Sequence, residues 1–168
     1  YELNSDYTKY LINEGKIFSR GNSRLVNFED QTRISSENLD YDIFDNIFIA
    51  NENVVLQNQE KDYKIFSDKM TYLKTNGKIF TEGNTLAEIH SKYIINSKDV
   101  TFYQNQMELS SNYHTIIKDN LNIYNTSRFK YFIDEEFLKG ENIVINSNYK
   151  NPQNDKFYFT NGMINLKN

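Results

Sequence analysis

His90 and His114 are the only imidazoles in the chain, and they stand 24 residues apart. With no cysteine beside them, and neither an HxH nor an HExxH spacing, they do not compose a zinc-type ligand set. The densest acidic stretch is Asp134-Glu135-Glu136. Neighbouring residues on a strand point to opposite faces, so these carboxylates read as a turn rather than a converging acid–base pair. Asp40 and Asp42 share a face across Tyr41, but two carboxylates alone do not make a glycosidase. Gly21 and Gly83 are not followed by the Lys-Ser/Thr pair of a phosphate loop. Lys16, Arg20 and Arg24 make one stretch locally basic and read as a solvated face. The absence of cysteine excludes thiol catalysis, disulfides and Cys-ligated zinc or iron–sulfur centres. No catalytic group, metal site or cofactor site emerges, and the sequence points away from an enzyme.

The elements that carry these residues must be strands. Tyr (13) and Phe (12) supply the whole aromatic content of a 168-residue chain whose hydrophobic fraction is 38%. Disordered chains are poor in such residues. Alanine, the strongest helix former, occurs only at Ala50 and Ala87, against 18 Ile and 25 Asn. No apolar run is long enough for a membrane-spanning helix, which needs about 18 residues. A net charge of −4 argues against a nucleic-acid binder, which would carry a basic stripe. Residues 1–168 read as one all-β domain, a fragment of a longer chain.

A repeat organises that domain. Gly15-Lys16-Ile17-Phe18-Ser19-Arg20-Gly21-Asn22-Ser23 returns 62 residues later as Gly77-Lys78-Ile79-Phe80-Thr81-Glu82-Gly83-Asn84-Thr85. A degenerate copy, Asn46-Ile47-Phe48-Ile49-Ala50-Asn51-Glu52-Asn53-Val54, lies midway, giving a period of 31. Ser5, Ser36 and Ser67 keep that step, as do Tyr10, Tyr41 and Tyr72. The period then slips toward a fainter unit near Lys139-Gly140-Glu141-Asn142-Ile143. Within units, apolar residues alternate with polar ones at the strand period of two. Asn76-Gly77 and Asn161-Gly162 predict two-residue hairpin turns, and Gly21-Asn22, Glu52-Asn53 and Gly83-Asn84 predict mid-strand bends. The inward set expected from the pleat comprises Ile17, Phe48 and Ile79, then Tyr63, Ile65, Met70, Tyr72, Tyr93, Ile95, Val100, Phe102, Leu109 and Ile116.

Two architectures suit such a repeat: a right-handed parallel β-helix, serving as a carbohydrate-binding or adhesin module, or an antiparallel twisted jelly-roll, an open V-shaped sandwich. The hairpin signals favour the antiparallel form, since parallel strands need crossovers. A repeat module with purely structural duties is a third reading. The repeated Ile-Phe-x-x-Gly-Asn frame, Tyr63-Lys64-Ile65-Phe66-Ser67-Asp68-Lys69-Met70-Thr71-Tyr72 and Ser91–Tyr103 resemble the OstA-like domains of the lipopolysaccharide transport system, found in LptA, LptC and the N-terminal part of LptD. The likeness covers roughly residues 10–145; Glu52 departs from it, standing where the family has glycine.

The resemblance implies a non-enzymatic periplasmic domain at the outer membrane of a Gram-negative bacterium. The inward set would then line a groove for the lipid A acyl chains of lipopolysaccharide. It further implies docking, edge strand to edge strand, with another jelly-roll such as LptA. The N-terminal domain of LptD is favoured, because the sequence begins and stops without evident termini. LptE would then be a further partner, and a C-terminal barrel of alternating strands, each of about 10 residues, would follow outside this sequence. An LptA-type bridge is the alternative.

Overall fold

The computed structural model describes residues 1–167. Two short strands, Glu2–Asn4 (β1) and Tyr7–Leu11 (β2), precede five long ones: Lys16–Val26 (β3), Thr32–Asp42 (β4), Ile47–Asn58 (β5), Tyr63–Leu73 (β6) and Lys78–Ile89 (β7). Shorter strands follow at Tyr93–Lys98 (β8), Thr101–Tyr103 (β9), Glu108–Ser111 (β10), Thr115–Lys118 (β11), Ile123–Thr126 (β12) and Arg128–Phe132 (β13). Two long strands, Phe137–Ser147 (β14) and Asp155–Asn165 (β15), complete the described chain. All pairings between them are antiparallel, which overturns the parallel β-helix.

The long strands bend in the middle. Register slips between Arg20 and Ser23, Ser35 and Asn38, Asn51 and Val54, and Ser67 and Lys69. A bulge adds a residue on one strand and sharpens its local twist, so each long strand gives one half to each of two layers. The split is explicit at β7, whose residues Lys78–Phe80 pair with β9 while Asn84–Ile89 pair with β8. One layer therefore runs β2, β3, β4, β5, β6, β7, β9, β10, β13, β14, β15. The other runs β1, β3, β4, β5, β6, β7, β8, β11, β12, β14, β15. This is the antiparallel two-layer fold expected from the repeat. The Glu52 bend survives without glycine, Glu52 and Asn53 both taking left-handed conformations (φ 67° and 55°).

The repeat itself is a hairpin. Four-residue turns join β2 to β3, β4 to β5, β6 to β7, β9 to β10 and β13 to β14. Each ends in a left-handed residue: Gly15, Asn46, Gly77, Met107 and Glu136. Their spacing of 31, 31, 30 and 29 residues is the slipping period seen in the sequence. Two expected turns need correction. Asn76-Gly77 closes a four-residue turn that begins with a 3-10 segment, Lys74–Asn76, not a two-residue hairpin. Asn161-Gly162 lies inside β15, paired with Glu141 and Gly140, and turns nothing.

Candidate functional site

The inward residues form continuous rows across the strands. In the first layer the pairings link Tyr10, Ile17, Tyr41, Phe48, Tyr72, Ile79, Phe102, Leu109, Tyr131, Leu138 and Ile164. In the second they link Leu3, Leu25, Ile34, Leu56, Ile65, Ala87, Ile95, Ile117, Tyr124, Ile145 and Phe157. Tyr63 and Tyr93 sit one step nearer the turns, each paired with Ile89. Met70 and Val100 lie on the crease side, beside Thr81. Twelve of the thirteen expected residues thus face inward; Ile17, near the N-terminal end of its row, is only half-buried.

Ile116 is the exception. It is 37% exposed, and its place in the slot belongs to fully buried Ile117. Ile116 pairs with Asn96 and Asn125 in an outward row. A period of two cannot choose between adjacent isoleucines, and the irregular stretch before β11 resets the phase. The sequence reading also missed Leu25, Leu56, Tyr131 and Leu138, all buried. Carrying the hairpin frame past Phe102 with its shortened period would have found the last two.

Between the layers the space is filled by these side chains. Tyr63 meets Phe102 edge-on at 5.2 Å between centroids, and Tyr93 meets Tyr131 at 5.9 Å, both across the layers. The cavity bordered by Leu25, Ile34 and Tyr72 holds about 10 Å³, barely one water. A ligand that reaches this packed depth must therefore part the layers. Burial pushes the Tyr63 hydroxyl up to about 12 and raises those of Tyr72, Tyr93, Tyr124 and Tyr131. The Tyr131 hydroxyl is buried without a hydrogen-bond partner among the described residues, an arrangement that costs about 1–3 kcal/mol. Two larger concavities lie on the outer faces, about 700 Å³ around Phe66, Leu86, His114 and Ile116 and about 720 Å³ around Arg128, Lys130 and Lys139, and a third of about 520 Å³ opens at the mouth between the layers, bordered by Tyr63, Tyr72, Met107, Lys61, Gln104 and Asp134.

At both ends the rows reach solvent. Tyr10 is half exposed at the N-terminal end. At the other end Phe157 (47%) and Phe159 (46%) stand exposed on β15, which among the described residues pairs with β14 alone. Among the described residues, one long side of β15 has no partner strand.

Along the mouth, opposite the crease, turns of the two layers touch through polar groups. The Gln104 amide donates to Asp30 at 2.5 Å and to Thr32 at 3.0 Å. Lys61 reaches Asp134 at 3.3 Å. Lys92 and Tyr93 both donate to Glu136, at 3.1 and 3.0 Å, and to the Leu166 carbonyl, at 3.1 and 2.5 Å. The His90 ring nitrogen stands 3.8 Å from Glu136. Burial raises the Glu136 carboxyl pKa, but its bonds to Lys92 and Tyr93 and the nearby charges outweigh that and hold it below the ordinary range. The acidic triplet is thus a turn whose last member clasps the opposite layer. Asp40 pairs with Arg20, and Asp42 caps its own turn through the Phe44 and Asp45 amides.

No protein-family model matches the sequence, and no curated protein matches it. Among solved structures the chain is similar to LptH, described as the LptA-homologous periplasmic component of the lipopolysaccharide transport device of Pseudomonas aeruginosa. The TM-score is 0.59 at 11% identity, over 77% of this chain and 95% of LptH. The two chains share a fold. At that identity the likeness to LptH is one of architecture, reached here through the bulged strands and four-residue turns described above.

Proposed function

We propose that this chain is a non-enzymatic periplasmic domain that carries lipopolysaccharide toward the outer membrane, holding lipid A acyl chains between its layers. What supports this is the pair of facing apolar rows running from the N-terminal strands to β15 and ending in exposed aromatics at both ends. A buried methylene gains about 0.8 kcal/mol, so several acyl chains can stand in for the side-chain packing that ends when the layers part. Sugars and phosphates stay outside, where the chain's acidity does not oppose them.

In this reading the unpaired side of β15 docks another jelly-roll and continues the slot into it. Within the transport system we assign the chain to the N-terminal domain of LptD, with LptE as a further partner. The LptA-type bridge is the second reading, favoured by the likeness to an LptA homologue.

The test is a photo-crosslinking amino acid placed at Phe102, in the slot, or at Lys64, on the outer face. Purified lipopolysaccharide is expected to label position 102 and not 64. Equal labelling at the two positions, or none at 102, overturns the proposal.

A further inference from the structure

The mouth is polar where the slot is greasy, and its contacts join parts of the chain that are distant in sequence. Gln104 lies 74 residues from Asp30, Lys61 lies 73 from Asp134, and Lys92 lies 44 from Glu136. None of these is a hairpin bond that holds a single sheet together. Each joins a turn or strand start of one layer to a turn of the other, and together they run from the β3–β4 turn to the β13–β14 turn. Lys61 and Asp134 are about half exposed, so their attraction is weak and easily broken. The crease differs in kind: there the two layers are continuous backbone through the bulges of β3 to β7.

We propose that this seam is a gate, and that lipid reaches the slot sideways by parting the turns along the mouth while the crease acts as the hinge. The inference rests on the reading of the slot as a lipid site and adds its route of entry. Three observations carry it. Below the concavity at the mouth, the packed rows beside Leu25, Ile34 and Tyr72 leave about 10 Å³, too little for an acyl chain. The cross-layer polar contacts lie on the side opposite the hinge. The Lys61–Asp134 pair, about half exposed on both sides, is weak enough to exchange for water as the turns separate. A multiply acylated lipid could then slide its tails in together, with its headgroup left at the mouth beside Lys61, Lys92 and Asp134. Threading from one end would instead drag that headgroup past every clasp.

The chain lacks cysteine, which makes a direct test possible. Lys61→Cys and Asp134→Cys place one thiol on each side of the mouth, and a reducible bis-maleimide ties them. The photo-crosslinker at Phe102 then reports entry of purified lipopolysaccharide. The expected result is strong labelling in the untied protein, at least tenfold less when tied, and recovery after the tether is reduced. Labelling of the tied protein at the untied rate, with the bridge verified by mass, overturns the gate and leaves the lipid slot standing. Absence of labelling both tied and untied overturns the lipid slot and the gate with it. Gln104→Ala supplies a second reading: removing this clasp should speed labelling on the order of threefold, and an unchanged or slower rate counts against the gate.

Discussion

The middle of the slot and its ends are built from the same rows, yet they stand in opposite relations to water. In the middle, Leu56, Ile65, Ile117 and Tyr131 are 0–1% exposed. At the C-terminal end, in the second-layer row that holds Ile65 and Ile117, Phe157 is 47% exposed. One row position serves folding where a strand lies on either side, and is left available where the sheet stops. The same pleat that packs the middle thus leaves aromatic side chains in solvent on the outermost described strands.

The largest expected effect tests the middle. Ile117→Ala removes a buried branch from the packed interior and should destabilise the protein by about 2–5 kcal/mol, measured by denaturant unfolding. Ile116→Ala, one residue away on the outer face, should stay within about 1 kcal/mol. Similar destabilisation at the two positions would mean that the register of β11 is shifted, and would break the distinction between middle and surface.

The ends should respond the other way. Phe157→Lys with Phe159→Lys should barely change the unfolding midpoint, because both rings already face solvent. An unpaired strand edge is a template for another strand, and charge there discourages pairing. The proposed docking of another jelly-roll on β15, followed by sedimentation velocity of an LptA-type jelly-roll mixed with this chain, should weaken by about tenfold, equivalent to about 1.4 kcal/mol. The matching change at the other end, Thr8→Lys with Tyr10→Lys, should cost less, because β1 and β2 are short and break at Ser5-Asp6, whereas β15 runs unbroken for 11 residues. Equal weakening at the two ends would erase that asymmetry.

Much of the fold is legible in the sequence because the repeat is strict where geometry is strict. Tyr10, Tyr41 and Tyr72 keep the step of 31 because they hold one row position on successive hairpins. Between Met107 and Glu136 the interval falls to 29 and the strands run only four or five residues, so the frame blurs; the misplaced Ile116 falls there. The packed state of the slot is not legible at all. Alternation shows which side chains face inward, but whether opposing layers touch depends on distances between residues remote in the chain. The clasps of the mouth are hidden for the same reason. Glu136 reads as part of an acidic turn, which it is, and only the fold brings Lys92 and Tyr93 to it.

The smallest expected effect concerns the hinge. Gly21, Glu52 and Gly83 occupy one repeat position, each in the left-handed region with φ of 72°, 67° and 80°. Glycine takes that conformation at no steric cost, whereas a residue with a Cβ is strained by about 1 kcal/mol or more. Glu52→Gly removes that strain but also gives the unfolded chain more freedom, which offsets part of the gain. It further removes the exposed hydrogen bond from Asn38, a weak contact at 3.1 Å. The sum is a stabilisation of about 0.5 kcal/mol, readable as a small rise in unfolding midpoint at unchanged denaturant slope. A clear destabilisation would mean that the Glu52 side chain holds the crease in place of the missing glycine's flexibility. The hinge would then be stiffer at β5 than at β3 or β7, and the layers would open unevenly along their length.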